Sequence, residues 1–214
     1  ESVMTSEKKP SIIPAADGPY LVKNLKQFSS QKGPIETKET MALCRCGGSE
    51  NKPFCDGTHQ KFGFSSSKLE GTPEDKRETY PGKKITIHDN RGICSHAGHC
   101  TDGLSSVFKM KEEPWIDPDA ASVDEIVATI KRCPSGALSY SIDETEYRDR
   151  EGPAGIFISK NGPYIVTGGS ELQDTDLGQG ASEEHYALCR CGGSKNKPFC
   201  DGTHWYNEFS DEKN

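Results

Sequence analysis

A stretch of sixteen residues that occurs twice constrains this chain more than any other feature. "CRCGGSENKPFCDGTH" occupies positions 44–59 and "CRCGGSKNKPFCDGTH" positions 189–204, so that Glu50 against Lys195 is their only difference. Hydrophobic cores accept many apolar substitutions, but these stretches contain few apolar side chains. They keep three cysteines, one histidine and several glycines at fixed spacing. We therefore predict a metal site that is built twice.

The cysteines indicate a third site. The chain has 214 residues and nine cysteines, an odd number in tight groups that does not suit a closed disulfide framework. Units of about fifty to sixty residues have marginal cores and usually need a metal or disulfide staple. The groups are Cys44, Cys46 and Cys55; Cys94, Cys100 and Cys133; and Cys189, Cys191 and Cys200. Three centres with three thiolates each are the simplest interpretation.

Net charge and hydropathy limit the partners and the cellular compartment that suit this chain. The net charge of -7 argues against nucleic acid or an anionic membrane as the main partner. No apolar run reaches the length of a membrane-spanning helix, and the polar segment 1–10 lacks the core of a signal peptide. We expect a soluble protein of a reducing compartment, the cytoplasm.

The repeat extends upstream of the cysteines. "GPYLV" at 18–22 returns as "GPYIV" at 162–166, and in both copies the Gly-Pro turn precedes residues of strand character. We predict two small β-rich units, at 12–66 and 154–211. Polar segments at 65–84 and 143–155 are predicted linkers.

The segment between the linkers, 84–142, is predicted to be a separate α+β unit. "ITIHD" at 85–89 and "ALSYSI" at 137–142 have strand character. A helix is expected over 122–133, because Ser122 and Glu125 form a capping box and apolar residues recur with helical spacing. Pro134 should end that helix directly after Cys133.

The spacing of the repeated ligands, C-x-C-x8-C-x3-H, is compatible with more than one metal. Zinc favours four nitrogen and sulfur ligands in a tetrahedron, and a zinc-stapled structural protein is one interpretation. The tight C-x-C pair instead favours two thiolates on one iron of a two-iron cluster, with the third cysteine and the histidine on the other. Asp56 and Asp201 are expected to cap the turns that carry the histidines.

Both stretches resemble the CDGSH iron–sulfur family, also called NEET proteins, with Thr58 and Thr203 in place of the usual serine. The resemblance includes the four ligand positions, "KPF" before the third cysteine and the upstream "GPY". It implies two [2Fe–2S] clusters, one held by Cys44, Cys46, Cys55 and His59 and the other by Cys189, Cys191, Cys200 and His204. It also implies that the two units pack as an internal pseudo-dimer, so that duplication replaces dimerisation.

A histidine ligand has a consequence for protons. Imidazole titrates nearer neutrality than any other unperturbed side chain. We therefore predict that reduction of these clusters is coupled to proton uptake and that acid loosens them.

The middle cysteines follow a ferredoxin pattern with one ligand missing. In "CSHAGHC", at 94–100, the position of a second cysteine is Ala97, and Cys133 precedes Pro134 as the last ligand does in ferredoxins. Together with "PWIDPDAAS" and "RCPSGAL", this segment resembles a divergent single-cluster ferredoxin family. Cys94, Cys100 and Cys133 alone would hold a [3Fe–4S] cluster. A [4Fe–4S] cluster needs a fourth ligand, for which His96 is preferred over His99; the alternative is that both histidines only donate or accept hydrogen bonds.

The chain lacks a nucleophile–base pair, a phosphate-binding loop and any substrate motif, so we predict that it is not an enzyme. The predicted function is electron transfer or redox sensing by a monomer with three clusters. The alternatives are a cluster donor or repair protein, and an enzyme that reduces a small oxidant at the three-cysteine centre. The basic residues beside the loops would steer an acidic redox partner or are simply solvated: Arg45, Lys52, Arg190, Lys195 and Lys197.

Overall fold

The computed structural model describes residues 7–214, and the first residues of the polar N-terminal segment lie outside this range. Short strands dominate, with two short α-helices. No helix among the described residues combines the length and apolar character needed to cross a bilayer. The predicted α+β class is confirmed.

The elements follow the chain in this order: β1 Ser11–Pro14, β2 Tyr20–Lys23, β3 Gln27–Ser30, β4 Gly33–Pro34, β5 Thr40–Leu43, β6 Arg77–Pro81, β7 Thr86–Asn90, α1 His99–Gly103, α2 Val123–Ile130, β8 Leu138–Ile142, β9 Thr145–Tyr147, β10 Gly155–Ile158, β11 Tyr164–Thr167, β12 Glu171–Leu172 and β13 Tyr186–Leu188. The "GPY" segments lead into β2 and β11 as predicted, and the "ALC" segments end β5 and β13.

Two of the three sheets contain strands from both repeats. One has the order β12-β1-β2-β5, in which β12 of the second repeat pairs in parallel with β1. The other has the order β13-β11-β10-β3-β4, in which β3 of the first repeat pairs in parallel with β10. Each repeat therefore completes a sheet of the other, and neither sheet is made of one repeat alone.

The core beneath these two sheets is likewise common to both repeats. It includes buried side chains from β1, β2 and β3 and from β10, β11 and β13: Ile12, Val22, Phe28, Ile156, Val166 and Leu188. The tyrosines of the two "GPY" segments meet edge to face, with ring centroids 5.9 Å apart. Tyr20 donates its hydroxyl hydrogen to the carbonyl of Cys189 at 2.6 Å, and Tyr164 donates to that of Cys44 at 2.6 Å.

The middle unit has its own sheet, in the order β6-β7-β8-β9, and its own core against α2. The predicted strands at 85–89 and 137–142 are present as β7 and β8, which pair antiparallel. The segments 65–84 and 143–155 are more than linkers, because they contribute β6 and β9 to this sheet. Their polar residues suit exposed outer strands, which need little apolar surface.

Helix α2 begins as predicted, with both hydrogen bonds of the Ser122–Glu125 capping box. It ends at Ile130, earlier than predicted, so Cys133 lies in the turn that follows. The backbone N–H of Cys133 still donates to the Ile130 carbonyl at 2.9 Å. Pro134 therefore follows a turn and does not end the helix.

Candidate metal centres

Each repeated loop is fastened to the strand that precedes it. Cys44, directly after β5, donates its N–H to the Pro53 carbonyl at 2.8 Å, and Cys55 donates to that of Ala42 at 2.8 Å. In the second repeat Cys189 and Cys200 make the same bonds to Pro198 and Ala187, at 2.8 and 3.0 Å. These bonds bring the third cysteine of each loop back to the strand that carries the first.

Within each loop the four predicted ligands form two close pairs. The Sγ atoms of the C-x-C cysteines are 3.7 Å apart in both repeats. The third cysteine lies 3.5 Å from Nδ1 of the histidine, again in both: Cys55 with His59, and Cys200 with His204. All nine cysteines are free thiols.

Backbone N–H groups point at the sulfurs of each loop. Gly48 donates to Cys46 Sγ and Gly57 to Cys55 Sγ, both at 3.4 Å, and Gly193 donates to Cys191 Sγ at 3.4 Å. Gly57 has a φ of 85°, in the left-handed region where glycine is strongly preferred. Such N–H donors stabilise negative sulfur.

The aspartates beside the third cysteines tie the loop together. Asp56 accepts the N–H of Thr58 at 3.0 Å through one carboxylate oxygen and that of Glu50 at 2.9 Å through the other. Asp201 accepts the equivalent bonds from Thr203 and Lys195. The N-cap residues of the short turns are Gly57 and Gly202. Each aspartate therefore lies one position before the N-cap, not at it as predicted, and accepts the first N–H of the turn from there.

The two loops touch each other. Cys46 and Cys191 form an isolated antiparallel bridge, and a Cβ placed on Gly47 would lie 2.5 Å from the carbonyl oxygen of Cys191. Only glycine fits where two backbones approach so closely. The two C-x-C segments therefore lie back to back.

Burial affects the protonation of several predicted ligands. It raises the pKa of Cys200 to about 12 and that of Cys94 to about 12. It lowers the pKa of His204, an effect to which the Arg190 charge adds, so that this imidazole is neutral at physiological pH. Thiols this buried become thiolates when a cation compensates their charge, and neutral imidazole is the form that binds metals. The donor sets therefore fit a metal centre.

The three middle cysteines line one cavity of about 940 Å³. Cys94 follows a short 3-10 turn, Cys100 lies in α1, and Cys133 follows α2. His96 and Ala97 line the same cavity. The structure thus brings together cysteines that are 39 positions apart in the sequence.

Buried polar atoms without a hydrogen bond lie beside these cysteines. Among the described residues, the carboxylate oxygens of Asp89 and the hydroxyl of Ser95 have no hydrogen-bond partner, although both side chains are buried. One Asp89 oxygen lies 4.0 Å from Nε of Arg91. Burial raises the pKa of Asp89 to about 7. Buried polar groups normally have partners, so these atoms and the cavity fit a bound polar group such as an iron–sulfur cluster.

The two histidines of the middle segment have different surroundings. His96 has a φ of 53° and donates its backbone N–H to Cys94 Sγ at 3.4 Å, while its ring packs on Gly202 of the second loop. His99 Nδ1 lies 3.5 Å from a guanidinium nitrogen of Arg132. A fourth ligand from His96 stays a prediction.

The prediction that the basic residues beside the loops are solvated or face a redox partner is wrong for three of the five. Arg45, Arg190 and Lys197 are buried, whereas Lys195 is exposed. Arg45 donates to the carbonyls of Gly18 and Ala15, and Arg190 pairs with Asp211 at 2.5 Å. These arginines hold the loop and the "GP" turn together. The sequence offered a signal for this role, because the arginine lies between the first two cysteines of the motif in both repeats.

Comparisons with known proteins agree with this geometry. The family described as "Iron-binding zinc finger CDGSH type" matches residues 17–60 and 161–205, and the family "Divergent 4Fe-4S mono-cluster" matches 80–143. The chain contains two regions that belong to the CDGSH iron-binding family. It carries the divergent 4Fe-4S mono-cluster region between its two CDGSH regions, and all three regions belong to families that bind iron–sulfur clusters.

Curated relatives match a smaller part. The "Uncharacterized protein YjdI" of Escherichia coli (strain K12) and that of Escherichia coli O157:H7 are each 46% identical over 61 residues. The match includes 28% of this chain and 80% of each relative. No solved structure matches the chain significantly.

Proposed function

We propose that this protein is an electron-transfer or redox-sensing protein with three iron–sulfur centres. Each CDGSH loop would hold a [2Fe–2S] cluster through three cysteines and one histidine, and Cys94, Cys100 and Cys133 would hold a [3Fe–4S] or [4Fe–4S] cluster. When bound, such clusters supply one-electron redox chemistry. In this proposal the protein is a cytoplasmic monomer and not an enzyme.

The observation that carries the proposal is the division of each ligand set into two pairs. The pairs are 3.7 Å and 3.5 Å across, which suits two ligands on one metal. Among residues 7–214, no three histidine, cysteine or acidic side chains converge as one metal ion requires. Two separate pairs favour a two-iron cluster over a single tetrahedral zinc.

Backbone N–H groups would stabilise the negative charge of the thiolates, and the histidines would bind the proton that accompanies reduction. The N–H groups of Gly48, Gly57 and Gly193 would stabilise the thiolates. Because Nδ1 of each histidine faces the cysteine sulfur, Nε2 is the nitrogen that would gain or lose a proton. It lies beside the "GP" turn, 3.8 Å from a Cβ built on Gly18 in one repeat and 3.5 Å from one built on Gly162 in the other.

The exchange of strands supports an internal pseudo-dimer. Tyr20 and Tyr164 make reciprocal bonds across the repeats, and β12 and β3 occupy equivalent places in each other's sheets. Reciprocal contacts of equivalent residues are the mark of a two-fold interface. A single chain would thus provide both halves, consistent with a monomer.

Iron and acid-labile sulfide per chain, on anaerobically purified protein, test the proposal. About eight irons with eight sulfides indicate two [2Fe–2S] and one [4Fe–4S] cluster, and about seven irons with eight sulfides indicate a [3Fe–4S] centre. Zinc without sulfide would contradict it and support the zinc-stapled alternative. A reduction potential that is constant from about pH 6 to 9 would contradict the coupling to protons.

The exposure of the first loop favours a second candidate, a cluster donor or repair protein. Cys55 and His59 are partly exposed, so an acceptor could approach this site directly. Mixing with an apo-ferredoxin distinguishes the two: a donor transfers its cluster spectrum to the acceptor, whereas an electron carrier keeps it. An enzyme at the three-cysteine centre would turn over small oxidants. An acidic redox partner remains a prediction for Lys52 and Lys195 alone among the five basic residues.

A further inference from the structure

The second CDGSH loop is in contact with the middle unit at several points. Asn196 donates its amide hydrogen to the Gly92 carbonyl at 2.6 Å, and the indole N–H of Trp205 donates to the His96 carbonyl at 3.2 Å. A Cβ placed on Gly202 would lie 3.0 Å from that of His96. At the equivalent Gly57 a Cβ would meet no atom of residues 7–214 within 4 Å.

These contacts connect one ligand of the middle centre to one ligand of the second loop. His96 donates its N–H to Cys94 Sγ at 3.4 Å and accepts from Trp205 through its carbonyl. Trp205 follows His204 directly in the chain, and their rings lie 5.0 Å apart. Two hydrogen bonds and one backbone residue therefore lead from Cys94 to the indole, whose ring is tilted by 37° against that of His204.

The first loop has a different residue at this position. Gln60 follows His59 where Trp205 follows His204, and no indole is available there. Phe64 and Lys68 of the segment after the first loop contact Lys197 and Asn196 of the second. The second loop thus lies between the middle unit on one side and the first repeat on the other.

We propose that Trp205, together with the backbone of His96, is the electronic contact between the middle centre and the second CDGSH centre. This inference rests on the proposed function. The step moves one electron: one centre is oxidised by one electron and the other is reduced by one, and the proton coupled to reduction of the second CDGSH centre passes from solvent to Nε2 of His204. The first CDGSH centre then exchanges electrons with the middle one only through the second, across the Cys46–Cys191 bridge.

The first test asks which CDGSH centre lies next to the middle centre, by electron paramagnetic resonance of the dithionite-reduced protein. Two matched variants are compared: Cys55→Ala, designed to lack the first CDGSH cluster, and Cys200→Ala, designed to lack the second. We expect the [2Fe–2S] signal that remains in Cys55→Ala, from the second centre, to be broadened by the middle centre, and the [2Fe–2S] signal that remains in Cys200→Ala, from the first centre, to lack this broadening. The opposite pattern, or equal broadening in both, would overturn the assignment.

The second test addresses Trp205 itself. Trp205→Phe keeps a ring beside His204 and removes the N–H donor, and Gln60→Phe is its matched control. A light flash generates a reduced flavin that donates one electron to the protein. The rate of electron exchange between the middle and second centres should then fall severalfold in Trp205→Phe and stay unchanged in Gln60→Phe. Iron, sulfide and the resonance signals should stay at wild-type levels in both.

The outcomes separate this inference from the proposed function. An unchanged exchange rate in Trp205→Phe, with full iron and sulfide, means that Trp205 only fastens the loop; this overturns the inference and leaves the proposed function intact. Protein without acid-labile sulfide overturns both.

Discussion

The two loops, 44–59 and 189–204, share fifteen of sixteen residues and the same internal geometry. Both have the 3.7 Å sulfur pair, the 3.5 Å cysteine–histidine pair and an aspartate that accepts two backbone N–H groups. Ser49 and Ser194 even donate to the following phenylalanine carbonyl at the same 2.6 Å. The ligand geometry is therefore a local property of the sixteen residues.

The surroundings of the two loops differ. His204 is 9% exposed and Cys200 4%, whereas His59 and Cys55 are partly exposed. The middle unit covers the second loop through His96 and Gly92. Where the first loop has Phe62 over Gly48, the second has Asn207 over Gly193. Two loops with the same donor side chains therefore differ in how accessible those side chains are to solvent.

The largest expected difference concerns the arginines inside the loops. Arg190 Nη1 lies 2.5 Å from Asp211, with side chains 1% and 2% exposed. Among residues 7–214, Arg45 has no such ion pair and instead donates to carbonyls and lies beside aromatic rings. Asp211→Ala leaves a buried charge without its partner and should cost about 3–5 kcal/mol in urea unfolding. Asp17→Ala, beside Arg45 but exposed, is the control and should cost far less.

The same pair predicts a dependence on acid. Burial alone would raise the pKa of Asp211, but hydrogen bonds from Arg190 and Asn214 outweigh it and lower the pKa overall. Its contribution to stability is therefore complete above about pH 4 and is lost as the pH falls through the lowered value. Unfolding free energies measured between neutral and acid pH should converge for wild type and Asp211→Ala, and a constant gap would contradict this.

Alanine substitutions at two equivalent glycines should destabilise the two loops to different degrees. Gly57 and Gly202 have φ values of 85° and 86°, so alanine at either carries the left-handed penalty of about 1–2 kcal/mol. At Gly202 the added Cβ would also lie 3.0 Å from that of His96, a tight contact that we expect to add about 1–3 kcal/mol. Chemical denaturation measures both, and equal losses would show that the contact with His96 yields freely.

Release of iron should distinguish the loops kinetically. In mildly acidic buffer with a chelator, we expect the first site to lose iron about fivefold faster than the second, equivalent to about 1 kcal/mol in activation free energy. The reason is access, because His204 and Cys200 are buried from the chelator whereas His59 and Cys55 are partly exposed. Cys55→Ala should abolish the fast phase and Cys200→Ala the slow one; a single phase in the wild type would contradict the difference.

The smallest difference is expected where the repeats are most alike. Tyr20→Phe and Tyr164→Phe each remove one buried hydrogen bond to a cysteine carbonyl across the repeats, at 2.6 Å in both. Each should cost about 0.5–1.5 kcal/mol. The two thermal midpoints should agree, and a marked inequality would show that the reciprocal contacts are not equivalent.

Much of the candidate site was predictable because its order is local. The spacing of cysteines, histidine and glycines within sixteen residues specifies the turns, the N–H donors and the two ligand pairs. The capping box of α2 and the strands after each "GPY" were equally readable. The end of α2 was not, because three further residues with helical potential form a turn that places Cys133 at the cavity.

The amino-acid sequence alone was therefore enough to predict the metal-binding side chains and to show that their motif occurs twice. The tertiary structure decided which repeat completes which sheet, that polar segments 65–84 and 143–155 add strands, and that Arg45 and Arg190 are buried. It also placed His96 against Gly202 and left Gly57 open. The physical reason is that these features depend on packing between residues far apart in the chain, and two loops that share fifteen of sixteen residues carry little information about which of them a third unit will cover.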